Sequence, residues 1–356
     1  MPETGTGKSL MSNTVPLKVL YINPAGGCNL HCRHCWVNEG GSTGETMTLN
    51  MWKALLIQAE ELGCVSVKLT GGEPLLYPEI ALLYSFIRQR FDTVAFETNG
   101  TLDPPGLMEK MKKNPPDFVS VSLDSADASV HDSFRKMNGA WKKTTGFCRK
   151  LVEAGIRTQV IMSVSDTSIE PVAEMAGLVA ELGVYNLKIN FITPTGRGTG
   201  NNFYQKMNIK NVLDYFRRLT ENLPLWVQPS IPGALLPPER LKYLGYCPVR
   251  NLLGVLPDGT FSLCGVGFSR KEMAWGRFPK TTVAEAWRNS PILKRIRNSL
   301  PESIQGVCSM CMHRDSCLGR CVVNNNETGG SLTAPDMICQ AAWEAGLFPE
   351  TRLVRK

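Results

Sequence analysis

Three cysteines near the N-terminus are spaced closely enough to share one metal centre. Cys28, Cys32 and Cys35 follow the order C-x3-C-x2-C. Thiolates are the ligands that zinc and iron–sulfur clusters select. Three of them can hold three corners of a four-iron cubane and leave the fourth iron free for an external ligand. Taken alone, the triplet is also compatible with a zinc site or with unrelated core cysteines.

Seven more cysteines are grouped near the C-terminus, and two lie between the groups. The C-terminal seven are Cys247, Cys264, Cys308, Cys311, Cys317, Cys321 and Cys339. Seven thiols are awkward for zinc tetrahedra but suit two cubanes with one open corner, although the CSMC segment alone is compatible with a zinc ribbon. Cys64 and Cys148 have apolar neighbours and are predicted to be buried and inert.

Short β-branched segments alternate with amphipathic helical ones along most of the chain. The strand-like segments are 17–23, 66–70, 93–98, 118–123, 158–164 and 187–193, and the clearest helical ones are 51–63, 78–90, 170–183 and 209–222. This alternation predicts βα units and a parallel sheet, open or curled into a partial barrel, with its ligand site at the carboxyl ends of the strands. The cysteine triplet directly follows the first strand.

The chain is predicted to contain two domains. A proline-rich stretch from 223 to 238 ends the βα pattern, and glycines, turns and cysteines follow it. The predicted division is a flexible N-terminus (1–16), an α/β domain (17–222), a linker (223–246), a cysteine-rich domain (247–345) and a tail (346–356).

Polar motifs follow the next predicted strands in order. Gly71-Gly72-Glu73-Pro74 follows the second strand, Thr98-Asn99-Gly100 ends the third, and Ser122-Leu-Asp124 ends the fourth. The triplet together with the GGEP motif resembles the signature of the radical S-adenosylmethionine (SAM) superfamily. That resemblance implies a partial (β/α)6 TIM barrel, with one [4Fe-4S] cluster on Cys28, Cys32 and Cys35 and SAM on its open iron.

The resemblance also implies contacts to SAM. The residues at matching positions are Gly71, Gly72, Glu73, Asn99, Ser122, Asp124, Arg135, Ser163 and Ile192. Many members of the superfamily have an aromatic residue just before the third cysteine. Here His34 stands at that position and Trp36 follows the cysteine, so the contact to adenine is open to either side chain.

The C-terminal cysteines resemble the seven-cysteine signature of the SPASM domain, which binds two auxiliary [4Fe-4S] clusters. The resemblance assigns Cys308, Cys311, Cys317 and Cys339 to an outer cluster, and Cys247, Cys264 and Cys321 to an inner one. Relatives often take the inner cluster's fourth ligand from a cysteine six residues after the first. Leu253 stands there in this chain, so an open iron and a borrowed ligand are both compatible with the sequence.

The implied reaction is reductive cleavage of SAM to a 5′-deoxyadenosyl radical, which abstracts hydrogen from a substrate. Most SPASM relatives mature ribosomally made peptides, and the C-terminal segment resembles maturases of nif11-type precursors. Oxidation or cross-linking of such a peptide is therefore expected. A tetrapyrrole or other small-molecule enzyme and a non-enzymatic electron carrier are the alternatives. The GGEP motif and Ser122-Leu-Asp124, at the position where relatives contact the ribose of SAM, count against the carrier. No catalytic acid, base or radical-bearing residue is assigned.

The expected partners are a precursor peptide, a separate leader-recognition protein, and an electron donor such as a flavodoxin or ferredoxin. The net charge of +7 is spread along the chain without a block of like charges, which argues against nucleic-acid binding. The sequence has no run of 18 apolar residues and no export signal, so a cytoplasmic protein that does not cross a membrane is expected.

Overall fold

The computed structural model describes residues 15–37, 45–201 and 208–354. Its strands are β1 (Val19–Ile22), β2 (Ser66–Leu69), β3 (Thr93–Thr98), β4 (Phe118–Ser122), β5 (Thr158–Val164), β6 (Asn186–Phe191), β7 (Val227–Pro229), β8 (Leu252–Val255), β9 (Thr260–Ser262) and β10 (Ala274–Arg277). Its α-helices are α1 (Leu49–Glu61), α2 (Ile80–Arg88), α3 (Leu107–Lys113), α4 (Ala128–Arg135), α5 (Ala140–Glu153), α6 (Glu170–Glu181), α7 (Ile209–Asn222), α8 (Val283–Asn289), α9 (Pro291–Ser299), α10 (Arg314–Cys317), α11 (Val322–Gly329) and α12 (Met337–Glu344).

The described strands form one open sheet. Strands β1 to β7 lie in chain order, and each pairs in parallel with the next. Strand β8 pairs in parallel with the other side of β1, and β9 and β10 continue that edge in antiparallel pairing. The six predicted strands are confirmed as β1 to β6, and the predicted parallel α/β fold is confirmed with them.

The two faces of the sheet differ in polarity because side chains alternate along each strand. In β5, Val160 and Met162 are buried, whereas Gln159 and Ser163 are only partly buried and line cavities. Residues from β1, β3, β4, β5 and β6, together with Thr70 directly after β2, line one and the same cavity. The sheet therefore curls around an inner space, here called the lumen, as a partial barrel does.

Helices cover the outer face of the sheet. Trp52 and Leu55 of α1 and Tyr84 of α2 are almost completely buried there. Burying one such side chain contributes about 1.5–3 kcal/mol to folding, so this layer needs no metal to hold it. The predicted helical segments are confirmed as α1, α2, α6 and α7.

The C-terminal part begins within the same sheet. The predicted linker, 223–246, contains β7 and short 3-10 turns at Gly233–Leu235 and Pro238–Tyr243. Strands β8 to β10, which follow Cys247, extend the sheet of the barrel. The domain boundaries stay predictions, and residues 1–14 of the predicted flexible N-terminus and 355–356 of the tail lie outside the described residues. Among the helices in the described ranges, none combines the length and the apolar character needed to cross a bilayer.

Candidate active site

The cysteine triplet lies in a loop that follows the carboxyl end of β1. We call residues 23–37 the cluster loop. Cys28, Cys32 and Cys35 all line a cavity of about 650 Å³ at the mouth of the lumen. Cys28 is exposed, Cys35 is partly buried, and Cys32 is buried. The three thiols are therefore presented together to one large space.

Two neighbouring loops clamp the backbone of the cluster loop. A β-carbon on Gly72 would lie 2.2 Å from the Gly27 carbonyl oxygen, so only glycine fits at this close approach. The backbone N–H of Glu73 donates to the same carbonyl at 3.0 Å. On the other side, Arg197 donates its N–H to the Cys35 carbonyl at 2.9 Å and its Nε–H to the Cys32 carbonyl at 2.8 Å. The loop conformation is thus fixed by the strand-end loops.

Nitrogen–hydrogen donors point at two of the sulfurs. The backbone N–H of Leu30 lies 3.4 Å from Cys28 Sγ, and Asn99 Nδ2 lies 3.8 Å from the same sulfur. Arg135 Nη1 lies 3.6 Å from Cys32 Sγ. Cys28 is exposed toward the cavity, but the surrounding protein still desolvates its thiolate and raises its pKa to about 11. Donors to sulfur stabilise thiolate character, which is what iron requires of cysteine.

Arg135 is held by a buried ion pair that also reaches β5. Its Nε lies 2.5 Å from Asp124 Oδ2, and Asp124 Oδ1 accepts the Ser163 N–H at 3.0 Å. Burial favours the neutral carboxyl, but the Arg135 guanidinium outweighs it and holds the pKa of Asp124 below its usual range. The backbone N–H of Asp124 donates to His131 Nδ1 at 3.1 Å. This network orients Arg135 toward the cluster loop.

Glu73 is completely enclosed. Its Oε1 accepts the Leu75 N–H at 3.0 Å and the Thr98 hydroxyl at 2.7 Å, and its Oε2 accepts the Asn99 N–H at 2.7 Å. Burial raises the pKa of Glu73 to about 7 despite these donors. The carboxyl therefore ties the ends of β2 and β3 together directly behind the cavity.

The predicted SAM residues fall into two groups. Most of them line the cavity, namely Gly71, Gly72, Asn99, Ser122, Arg135, Ser163 and Ile192. Glu73 and Asp124 lie behind this lining and hold its members through the hydrogen bonds described above. His34 stacks on Phe134 with ring centroids 4.5 Å apart, and a β-carbon on Gly265 would lie 2.4 Å from the Trp36 ring. Both His34 and Trp36 line the cavity, so the adenine contact stays open between them.

The C-terminal cysteines lie beside two different cavities. Cys308, Cys311, Cys317 and Cys339 line one small cavity of about 20 Å³. Cys264 is close enough to Cys247 and Cys321 for their charges to interact, and Cys247 and Cys321 line the large cavity. Burial raises the pKa of both Cys247 and Cys264 to about 12. Among the described His, Cys, Asp and Glu residues, no three converge closely enough to enclose a single metal ion.

Comparison with known proteins identifies the barrel. Residues 22–179 match the family model described as the Radical SAM superfamily. Residues 22–179 form a radical SAM domain. Members of this superfamily bind SAM and a [4Fe-4S] cluster, and the chain is accordingly a radical SAM enzyme.

Relatives of this radical SAM enzyme act in two kinds of pathway. The AdoMet-dependent heme synthase of Methanosarcina barkeri is 26% identical over 82% of this chain and 88% of its own length. The mycofactocin maturase MftC of Mycolicibacterium smegmatis is 25% identical over 92% of this chain and 84% of its own. The solved structure of Streptococcus suis SuiB bound to precursor peptide SuiA shares the fold with a TM-score of 0.71 at 18% identity, covering 92% of this chain and 76% of SuiB.

The radical SAM barrel also contains charged residues that belong to none of the sequence motifs. Lys68, Glu97 and Lys188 come from β2, β3 and β6 and line the lumen, close to Tyr21 of β1. The signal available in the sequence is the alternation of polar and apolar residues in SVKL and NLKINF. That pattern predicts which face each lysine is on, but it does not show that the two lysines share a cavity.

Proposed function

We propose that this radical SAM enzyme modifies a ribosomally made peptide by oxidation or cross-linking, using one SAM-binding cluster and two auxiliary clusters. The observation that carries the proposal is a single cavity. It is lined at one side by Cys28, Cys32 and Cys35 and at the other by Cys247 and Cys321. A substrate in this cavity would lie between the two predicted cluster sites, where one can start a radical reaction and the other can accept an electron.

The residues around the triplet fit the first cluster and SAM. The thiols share one space, they have N–H donors to sulfur, and the adjoining cavity of about 650 Å³ is large enough for a nucleoside ligand. In this proposal, SAM lies against the lining residues named above and the cluster is held by Cys28, Cys32 and Cys35. When bound, SAM and the cluster supply a carbon radical that can remove hydrogen from an unactivated C–H bond.

The residues of the chain hold the cluster loop in place and orient the groups that line the cavity. Gly72 lets the cluster loop approach the GGEP turn, and Arg135, fixed by Asp124, donates toward Cys32. Glu73 keeps the ends of β2 and β3 in register behind the cavity. A substrate that fills the lumen would displace water from it, which protects a radical from quenching. A small displacement of any of these supports would misplace the substrate's C–H bond.

The proposal also places two auxiliary clusters on the C-terminal cysteines. We assign the outer one to Cys308, Cys311, Cys317 and Cys339, since these four thiols share one cavity. The inner one belongs to Cys247, Cys264 and Cys321, which are mutually close. The proposed partners are a precursor peptide, a separate protein that binds its leader, and a flavodoxin or ferredoxin as electron donor.

The peptide reading is supported by the mycofactocin maturase and by SuiB, whose structure contains a precursor peptide. A second candidate is a tetrapyrrole substrate, which the similarity to heme synthase favours. Both substrates would have to enter the same cavity. The two candidate functions therefore differ in their substrate and share the same cluster chemistry.

The test is anaerobic reconstitution followed by a substrate trial. We expect about twelve iron atoms per chain, from three four-iron clusters, and 5′-deoxyadenosine on addition of SAM and dithionite. A short peptide from any small open reading frame beside the gene and a haem precursor are then added in parallel. A mass change in the peptide supports the proposal, a change in the haem precursor supports the second candidate, and clusters without 5′-deoxyadenosine would overturn both.

A further inference from the structure

Most charged side chains that line the large cavity have a counter-ion. Arg135 is paired with Asp124 at 2.5 Å, and Arg320 with Asp336 at 3.4 Å. Glu97 is ion-paired with Lys68 through Oε1 and accepts the Thr70 hydroxyl at 2.8 Å through Oε2. Each of these charges is therefore balanced within the protein.

Among the described charged residues that line the large cavity, Lys188 is the one without a counter-ion. No described acceptor or carboxylate lies within hydrogen-bond or ion-pair distance of its Nζ. Its charged neighbours are one carboxylate, Glu97, and two cations, Lys68 and Arg320. Glu97 already forms an ion pair with Lys68. Burial lowers the pKa of Lys188, and Lys68 and Arg320 add to that effect against Glu97. The lumen around Lys188 therefore carries one excess positive charge.

The position of Lys188 separates it from the predicted SAM contacts. Lys188 pairs with Ile161 in the sheet register, whereas Asn190 pairs with the predicted SAM residue Ser163. Lys188 is thus two residues deeper in the lumen than Ser163, about 6–7 Å along the strand. It lines both the large cavity and a second cavity of about 510 Å³ at the other end of the barrel. A ligand that extends past SAM into the lumen would contact Lys188.

An ammonium group facing a water-filled cavity is solvated, but filling the cavity removes that water. Desolvating a charge without a partner is unfavourable by several kcal/mol. A ligand that occupies the lumen must therefore bring an acceptor to Lys188, and an anion is the strongest one. A single ammonium matches one monoanionic group, whereas phosphate recognition favours the forked donors of arginine.

We propose that Lys188 binds a carboxylate of the peptide substrate, either an acidic side chain or the C-terminal carboxylate. This inference rests on the proposed function, since it names the chemistry of the substrate in the same cavity. Lys188 then fixes the depth at which the peptide enters the lumen, and so selects which C–H bond lies beside SAM. It is a specificity residue and takes no part in hydrogen abstraction.

The test measures protection of Lys188 in the reconstituted, SAM-loaded protein. The protein is treated with a neutral amine-acylating reagent, and labelling of each lysine is quantified by mass spectrometry. Three probes are compared at equal ionic strength: N-acetylglutamate α-amide for an acidic side chain, N-acetylalanine for a C-terminus, and N-acetylglutamine amide as the neutral control. Lys150, an exposed lysine paired with Asp103, is the internal control in the same digest.

We expect one or both acids to slow labelling of Lys188 about fivefold at four times their Kd, by mass action. The amide should give no protection, and labelling of Lys150 should not change. The acid that protects identifies the source of the carboxylate. Equal labelling with acids and amide, up to about 0.1 M probe, would overturn the proposal, because a useful contact should bind in the millimolar range.

A variant gives an independent readout. Lys188→Met keeps an unbranched side chain one atom shorter and removes its charge, and Lys150→Met is the matched surface control. Binding of the protecting acid, measured by calorimetry, should be lost in the first variant and retained in the second. Production of 5′-deoxyadenosine by the unmodified protein is scored separately, so a failed proposed function and a failed carboxylate contact give different results.

Discussion

The barrel and the C-terminal cysteine region, here residues 301–354, hold their cysteines by different means. In the barrel, the cluster loop follows a buried strand and is clamped by hydrogen bonds from Glu73 and Arg197. In the C-terminal region, the described α-helices are α10, α11 and α12, of four, eight and eight residues. Short 3-10 helices at Gly306–Met310 and Glu350–Arg352 and one isolated β-bridge between Cys311 and Leu353 accompany them. Helices this short are marginal without tertiary support.

The cysteines in the two parts accordingly differ in what they contribute to the fold. The barrel buries large side chains between sheet and helices, so its fold does not depend on a metal. The C-terminal region has a smaller core, and its cysteines lie at the ends or inside its short helices, where a shared metal centre would join them. We infer that the first three cysteines serve chemistry on a finished scaffold, and that the last ones also serve folding.

The largest expected effect tests the catalytic role of the first three cysteines. Replacing Cys28, Cys32 and Cys35 together by alanine should lower 5′-deoxyadenosine production more than about a thousandfold, because the three act as a unit. The iron content should fall by about a third. The thermal unfolding midpoint should barely change, since the scaffold is held by packing. The Cys308→Ala variant, which removes one thiol of the C-terminal region, should lower the midpoint instead. An equal fall in both variants would contradict the comparison.

The second prediction concerns the clamp on the cluster loop. Gly72→Ala puts a β-carbon against the Gly27 carbonyl and should displace the loop. A shift of about 1 Å at such a site costs on the order of a hundredfold in rate, measured as 5′-deoxyadenosine production. Gly27→Ala is the matched control, because nothing lies within 4 Å of its β-carbon. Equal activity of the two variants would show that the close approach does not matter.

The third prediction tests the C-terminal region. When iron is removed anaerobically with a chelator, limited proteolysis should cut residues 301–354 at least about ten times faster than in the loaded protein, because metal binding there contributes folding free energy. Cleavage within β1 to β6 should change less than about twofold. Peptide mapping by mass spectrometry gives both rates. Similar acceleration in both parts would contradict the proposed division of roles.

The smallest expected effect is a dependence of stability on pH that involves Glu73. Burial raises its pKa from 4.5 to about 7, so between these values the folded state binds more protons than the unfolded state. Stability should therefore fall as pH rises through this window, by at most about 1.4 kcal/mol per pH unit. Glu73→Gln should remove this contribution, measured as the difference between the two proteins in denaturant titrations.

The same measurement on iron-free protein sharpens the comparison further. If the network of Glu73, Thr98 and Asn99 forms without metal, as the packed barrel implies, the difference between wild type and Glu73→Gln should have the same pH dependence with and without iron. A slope that appears only in the loaded protein would mean that the metal organises the barrel ends as well.

The order of the elements and the motifs at their ends follow from the amino-acid sequence alone. Periods of two and of about 3.6 residues are local properties, so the segments that became β1 to β6 and α1, α2, α6 and α7 could be predicted from them. The GGEP turn and the cysteine triplet are contiguous, and they follow predicted strands. Parallel strands end at a common edge, so the meeting of these motifs at one site was also predictable.

The tertiary structure alone decided which distant side chains meet. Arg135 reaches Cys32 because α4 packs beside the cluster loop, and Lys188 faces Glu97 because the sheet curls until β6 lies across the lumen from β3. Strand β8 joins β1 and not β7, which brings Cys247 and its partners to the cavity. Such contacts depend on curvature and on pairing between strands remote in sequence, and no local pattern of residues encodes either.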